Sequence, residues 1–570
     1  MHKVTASNES LLRSGAEGQE KPPRHRGIVA LTVETPTSSK TRSDLPPRPA
    51  PRWNTPEFIF YLIVFIIVVP LLIKVPVDLS QPTHPNYVQY HRRLSPGWIG
   101  GREVDNSDRQ YRSFRDNIPA LTLLSIGHLT TSKIYSAVSH AFSLPQSSRI
   151  AFSAVVSLLV LAGLHGSSIL KILLIISINY WATKRLRASP FAPAAIWTLN
   201  VAVIFLNEIY DGYKFASIHS SLAFLDSVRG AYPRWNVTFN ITMLRLISFS
   251  MDYYWACTKR PSAAHEPRNE KDRVVLPHAM EDYSFLNYLA YTIYPPLYIA
   301  GPIMTFNNFV WQMRHPVRVP FRDVILYLVR FLVCVMTMEL ILHYMWVVAM
   351  KDTDSWRGLS PAEISMVGFW NLIVVWLKLL IPWRFFRLWA LADGMDAPEN
   401  MVRCMANNYS ALGFWRSWHR SYNLWIVRYL YIPVGGSTRP ILSTLAVFTF
   451  VALWHDLSLK LLTWGWLISL FVIPEMAARQ LLPPSKYAQE PWYRHVCAIG
   501  GVFNILMMMA ANLVGFVVGV SGTRHLADQL FGSWQGLQFL GFACVCLFIA
   551  VQVMFEYREE EMRRGIYRRY

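Results

Sequence analysis

Hydrophobic and polar positions are grouped in long blocks along this chain. Twelve stretches are apolar almost throughout: residues 58–73, 118–138, 149–164, 168–182, 194–210, 238–255, 324–349, 366–381, 441–455, 461–478, 496–520 and 536–554. A helix of roughly 20 mostly apolar residues, in a range near 17–25, is long enough to cross a bilayer. The pattern therefore predicts an all-α polytopic membrane protein with about 10–12 membrane helices. FIFYLIVFIIVVPLLI at 58–73 is the clearest of them, while the shorter stretches suit re-entrant or interfacial segments equally well. Residues 285–310 are expected to dip into the membrane and return.

The ends of the chain read differently. Residues 1–55 contain KPPRHRG, ETPTSSKTRSD and PPRPAPR and no apolar run able to pack, so they read as a disordered tail. They lack the charged start, apolar core and small-residue cleavage site of a signal peptide. Residues 56–556 form the expected membrane domain, and 557–570, ending EEMRRGIYRRY, a charged C-terminal tail. No internal repeat is visible.

Composition sharpens the class. Of 570 residues, 52% are hydrophobic and 16% charged, with 21 Trp, 27 Tyr and 31 Phe and a mean hydropathy of +0.23. Soluble chains carry about 25% charged residues. A disordered regulator, a collagen-like fibre and a disulfide-rich secreted scaffold are excluded. The 55 basic and 36 acidic residues give a net charge of +19. In a membrane protein that excess belongs in cytoplasmic loops facing anionic headgroups, which argues against a nucleic-acid partner. Basic clusters lie at Lys184, Arg185 and Arg187; at Lys259, Arg260, Arg268, Lys271 and Arg273; at Arg314, Arg318 and Arg322; and at Arg416, Arg420 and Arg428. Counting crossings puts all four on one face with both termini, and that face is taken as cytosolic. Loops 74–117, 211–237 and 351–363 then face the lumen. The sequons at Asn236 and Asn240 start there, too close to a span to be expected to carry glycans. The six cysteines (257, 334, 404, 497, 544 and 546) show neither CxxC nor a metal-ligand spacing, so no disulfide frame or metal site is expected.

Three stretches could carry chemistry. An ionisable group at the end of an apolar run is a functional candidate by default. His455 is the sharpest, in ILSTLAVFTFVALWHDLSLKLLTWGW. Neutral imidazole is well suited to accept a proton near pH 7, and a helix-end histidine wetted by headgroups fits the pattern equally well. The second stretch, GFWRSWHRSYNLWIVRYLYIPVGG (413–436), crowds Trp415, Arg416, Trp418, His419, Arg420, Tyr422, Asn423, Trp425 and Arg428 together. Helical spacing would put Trp415, Trp418, His419 and Tyr422 on one face. Aromatic rings with arginines suit an interfacial helix that grips headgroups or a phosphate-bearing ligand. An ordinary aromatic belt explains the Trp and Arg residues as well, but His419 and Asn423 poorly. Pro433, Gly435 and Gly436 should end that helix. The third stretch, SFLNYLAYTIYPPLYIAGPIMTFNNF (284–309), is apolar but broken by Pro295-Pro296 and Gly301-Pro302. It reads as either a cavity wall or a kinked structural segment. There is no phosphate-cradling P-loop, GxSxG or HExxH.

Read in order, these segments resemble the membrane-bound O-acyltransferase family, and most closely its fungal glycerol-uptake-protein branch, related to hedgehog acyltransferase. The matching text is YPPLYIAGPI (294–303), LWALADGMDAPENM (388–401), FWRSWHRSYNLWIVRYLYIPVGG (414–436) and FVALWHDLSLKLLTWGWL (450–467), with RLISFSMDYYW (245–255) a weaker match. The resemblance implies a ring of tilted helices around a tunnel, acyl-CoA entering from the cytosol and an acceptor from the bilayer or lumen. It places His455 at the family's principal histidine and His419 at its second polar position. It implies substrate contacts from Trp415, Arg416, Trp418, Asn423, Arg428 and Trp454. In this reading His455 is general base on an acceptor hydroxyl, and His419 holds the thioester oxygen or CoA. Asp456 cannot be assumed to orient His455, since a helical neighbour points about 100° away.

The resemblance further implies a long fatty acyl group passing to a lyso-lipid hydroxyl during GPI-anchor remodelling in the endoplasmic reticulum, with the plasma membrane as a second location. Acyl-CoA, the acceptor and membrane lipids are the expected partners, and no cofactor is required. Cys404 matches a cysteine tied to haem in the hedgehog branch; a buried, inert thiol is the plainer reading here. The opposing class is a glycerol or proton-coupled transporter, which many spans, broken helices and intramembrane histidines also suit. The polar residues bunch in the C-terminal half, and no two similar halves are visible. Acyl transfer to a protein is a third reading, weakened by the second histidine. A catalytically dead scaffold is the least favoured, since His455 is present.

Overall fold

The computed structural model describes residues 49–145, 147–258, 267, 269–317, 319–455, 459–564 and 566. The chain through 48, Lys259, Arg260, Arg268, Arg318 and Asp456 lie outside the described residues.

Helices dominate. α1 (Pro56–Leu79) opens the domain with Thr55 as its N-cap. A small antiparallel hairpin, β1 (Leu94–Pro96) and β2 (Glu103–Asp105), leads into α2 (Arg109–Ala141). Then come α3 (Ser147–His165), α4 (Ile169–Leu186), α5 (Ala192–Ile209) and α6 (Trp235–Thr258). The broken segment gives α7 (Phe285–Ile293), α8 (Pro295–Tyr298) and α9 (Phe306–Arg314). α10 (Phe321–Tyr344) and α11 (Pro361–Ala392) follow, the latter opened by a Ser360/Glu363 capping box. α12 (Ala411–Ser417), α13 (Arg420–Ile426) and α14 (Pro440–His455) carry the second and first candidate stretches. α15 (Leu459–Leu481), α16 (Tyr493–Asn512), α17 (Gly519–Phe531) and α18 (Trp534–Arg563) complete the chain.

Among the described residues, eight helices are long and apolar enough to cross a membrane. That bears out the expected all-α polytopic membrane fold. Residues 149–164 and 168–182 count as one 40-residue element. Stretch 118–138 lies in α2, and 441–455 forms the 16-residue α14, too short to qualify. Stretch 238–255 lies in α6, which packs inside the protein, with every residue from Thr242 to Tyr253 buried. α1 shows the opposite pattern: Ile66 is 70% exposed, as suits a helix facing lipid.

Polar residues in the interior satisfy one another. Asn200 Nδ2 donates to Asn179 Oδ1 (2.8 Å), Asn179 Nδ2 donates to Ser250 Oγ (3.2 Å), and the Ser250 and Thr183 hydroxyls are 2.6 Å apart. Such pairs hold α4, α5 and α6 together where apolar packing gives no preference over lipid.

The segment expected to be either a cavity wall or a kinked structural piece is the latter. α7 from Asn287 onward and all of α8 are buried, and of the Pro-interrupted 294–303 text only Ala300 lines the main cavity. The carbonyls freed by the break are taken up by Arg245 of α6, fully buried, which donates to the carbonyl of Thr292 (2.8 Å) and to that of Leu297. A broken helix at membrane depth is stable when the protein itself satisfies its backbone.

The expected boundary at 556 is not a structural break, because α18 runs on to Arg563. Glu561 is 4% exposed and pairs with Arg403 at 2.6 Å. Residues 49–55 are likewise fastened: Arg52 N donates to Glu556 Oε1 (3.1 Å), and Arg563 Nε to the Pro49 carbonyl (3.0 Å). These contacts fasten residues 49–55 and 557–564 to the domain despite their polar composition.

Candidate active site

A cavity of about 1100 Å³ lies within the domain, walled chiefly by α1, α11 to α14 and α16 to α18, with residues of α6 and α15. Its lining is mostly aliphatic, aromatic and methionine side chains. His419 and His455 both open into it, with Trp415, Trp418, Tyr422, Asn423 and Trp454.

Helical spacing put Trp415, Trp418, His419 and Tyr422 on one face of a single helix. The structure corrects the means while keeping the outcome. α12 stops at Ser417, Trp418 is extended (φ −87°, ψ 128°), and His419 sits in the left-handed region (φ 45°, ψ 51°) before α13 begins. The corner turns all four rings into the same cavity. A non-glycine residue in that conformation needs support from its surroundings. Here two separate sequence stretches provide it. Arg420 N donates to the Asn400 carbonyl (2.9 Å), Ser421 N to Asn400 Oδ1 (3.2 Å), and Ile303 N to Ser421 Oγ (2.8 Å). Asn400 comes from the 388–401 text and Ile303 from the Gly301-Pro302 segment, so both matched stretches brace the corner from behind.

The His419 imidazole stacks on Trp383 of α11, with centroids 4.2 Å apart and planes 23° from parallel. Its other neighbour is Tyr422, at 5.1 Å. Tyr422 packs on Trp454 (4.6 Å) and stands edge-on to His455 (6.4 Å, 76°). Trp454 is fixed by its Nε1, which donates to the Asn240 carbonyl (2.9 Å). His455 ends α14 and is exposed to the cavity, with Trp454 4.7 Å away. The two histidines, 36 positions apart in sequence, thus flank one tyrosine ring. The Tyr422 hydroxyl and the Trp415 Nε1 have no hydrogen-bond partner among the described residues.

Two expected contacts are not assembled. Arg416 is exposed and lies outside the cavity lining. Arg428 is absent from the lining too: its Nη2 donates to Asp252 Oδ1 (2.8 Å), and its guanidinium lies 4.8 Å from the Trp255 ring. Tyr429 also donates to Asp252 (3.0 Å) and meets the Ser248 hydroxyl at 2.9 Å. This arginine locks α6 to the turn after α13, where a π-helical turn (427–431) and Gly435 at φ 135° end the segment as expected. A buried carboxylate captures a nearby guanidinium because an unpaired charge there is costly.

Cys404 is absent from the cavity lining while its neighbours Met405 and Ala406 are in it, and burial pushes its thiol pKa up.

Sequence reasoning did not find Trp383, nor Tyr409, Asn504 and Met508, which also line the cavity. They sit on α11, on α16 and just before α12, and look like ordinary interior residues in one dimension. Only the Pro382-Trp383 pair inside an apolar run offers a local signal.

Residues 189–520 match the model of MBOAT, the membrane-bound O-acyltransferase family. The chain is 47% identical over 529 residues to Membrane-bound O-acyltransferase GUP1 of Saccharomyces cerevisiae, covering 90% of this chain and 93% of that protein. It is 41% identical to Membrane-bound O-acyltransferase gup1 of Schizosaccharomyces pombe, covering 98% of each. At greater distance it is 26% identical to mouse Protein-cysteine N-palmitoyltransferase HHAT, over 56% of this chain and 67% of that protein.

Proposed function

This multi-pass membrane protein belongs to the membrane-bound O-acyltransferase family, and on that premise we propose that it moves a long-chain fatty acyl group from acyl-CoA to a lipid hydroxyl. The proposed acceptor is the lyso-lipid of a GPI anchor undergoing remodelling in the endoplasmic reticulum membrane. The observation that carries the reading is the meeting of His419 and His455 in one largely apolar cavity. A fatty chain needs such a lining, and acyl transfer needs a base within it. Walls formed by α1 and α18 support access for a lipid acceptor from the bilayer.

In this mechanism His455 accepts the proton of the acceptor hydroxyl as its oxygen attacks the thioester carbonyl. The C–S bond then breaks and CoA leaves, taking up the proton. His419, held flat by Trp383, hydrogen bonds the donor. General-base assistance of this kind contributes about 10²–10⁴-fold. The scheme requires no cofactor besides the acyl-CoA co-substrate.

The test uses detergent-purified full-length protein, wild type beside His455→Ala. Labelled long-chain acyl-CoA is offered with lyso-lipid or lyso-GPI, following free CoA and acylated lipid. Transfer by wild type alone, with both proteins equally folded, supports the reading. Absence of transfer, together with glycerol movement by wild type in liposomes, would replace it with transport.

A further inference from the structure

Tyr422 is 4% exposed, and its hydroxyl hydrogen bonds nothing among the described residues. A buried O–H without a partner is unfavourable, and such groups in folded proteins are nearly always satisfied by protein, water or ligand. Its ring is held on both sides: Trp454 lies at 4.6 Å and Trp425 at 6.2 Å, stacked at 18°. The same ring contacts His419 and His455 and forms part of the cavity wall. The ring that carries this unpaired donor borders both histidines and the cavity, so the hydroxyl is a candidate donor to a ligand atom that gains negative charge.

We propose that the Tyr422 hydroxyl is a further catalytic group, donating a hydrogen bond to the thioester carbonyl oxygen as it becomes an oxyanion. This rests on the acyl-transfer reading given above. With His455 acting on the acceptor hydroxyl, the carbon under attack lies beside that imidazole, and its oxygen falls within the space Tyr422 borders. The acceptor oxygen forms the new C–O bond, and the carbonyl electron pair moves onto the oxygen facing Tyr422. That pair returns as the C–S bond breaks, and the thiolate receives the proton held by His455. Tyr422 keeps its own proton throughout. A rigid, desolvated donor is effective here because it need not reorganise as charge develops.

Tyr422→Phe removes the hydroxyl and leaves the ring packing intact. The expected result is a fall in kcat of about 10²–10³-fold, with KM for acyl-CoA little changed. Thermal stability without substrate should hold or rise, since no internal hydrogen bond is lost. A second readout is the infrared carbonyl band of ¹³C-labelled acyl-CoA bound to His455→Ala protein, where turnover is blocked. Adding Tyr422→Phe should shift that band to higher frequency. Equal kcat in wild type and Tyr422→Phe, or an unmoved band, overturns this assignment alone. A fall in thermal stability that accounts for the lost activity also overturns it, in favour of a structural hydroxyl. If wild-type protein transfers no acyl group at all, the acyl-transfer reading falls and takes this assignment with it.

Discussion

The imidazole of His419 lies flat on the indole of Trp383, their centroids 4.2 Å apart. One residue sits at a left-handed corner between two short helices and the other in the middle of a 32-residue helix. The stack fixes the plane of the histidine ring, which forms part of the cavity wall. Trp383→Phe should keep most acyl-transfer activity, while Trp383→Ala should lose a large part of it, since an aromatic pair is worth about 0.5–1.5 kcal/mol beyond the area it buries. Parallel kinetics on the two variants at matched folded yield check this.

The backbone at His419 makes a separate demand. Left-handed geometry costs an ordinary residue about 1–2 kcal/mol, and asparagine tolerates it better than most. His419→Asn should therefore fold close to wild type, and His419→Val should show a clearly lower thermal midpoint in detergent. Both should lose activity, which separates the role of the ring from that of the corner.

Arg428 distinguishes a structural from a substrate-binding arginine. Its partner Asp252 is 1% exposed, so Arg428→Ala leaves a buried carboxylate unpaired, at a cost of about 3–5 kcal/mol. The expected outcome is a marked loss of thermal stability with no selective rise in KM for acyl-CoA. Unchanged stability together with a raised KM would return Arg428 to phosphate binding.

Gly301 tests the brace behind the histidine corner. A Cβ there would lie 2.2 Å from the Pro296 carbonyl oxygen and 2.7 Å from the Leu297 Cα, both backbone atoms that cannot swing aside. Gly301→Ala should displace the segment carrying Ile303 and loosen its bond to Ser421. Reduced monodisperse yield and reduced activity in whatever folds are expected, read by size-exclusion chromatography and acyl transfer.

His455 gives the simplest kinetic result. His455→Ala should lose about 10²–10⁴-fold in kcat, the usual range for a general base. Its thermal midpoint should stay near that of wild type, because the side chain faces the cavity and not a packed core.

Some of this was legible in one dimension. Apolar run length located nearly every long helix, because a helix in lipid must be apolar along its whole length and that requirement is local. It also singled out His455, since an ionisable group in such a run is costly and therefore informative, while His419 stood out in the crowded aromatic and arginine stretch 413–436. What run length could not separate was burial in protein from burial in lipid. α6 reads as an apolar run of spanning length, yet it is less apolar than the spans, packs within the domain and offers Arg245 to the broken helix.

Composition determined the class of protein and the residues able to do chemistry. Tertiary structure alone decided which of them meet. Arg428 and His419 lie nine positions apart in one motif. Asp252, 176 residues before Arg428, draws that arginine out of the site, while Asn400 and Ile303 turn His419 into it. Trp383 and Tyr422 gained their significance in the same way. Spacing along a helix fixes only the direction of a side chain, and its partner is supplied by whichever distant element packs against that face.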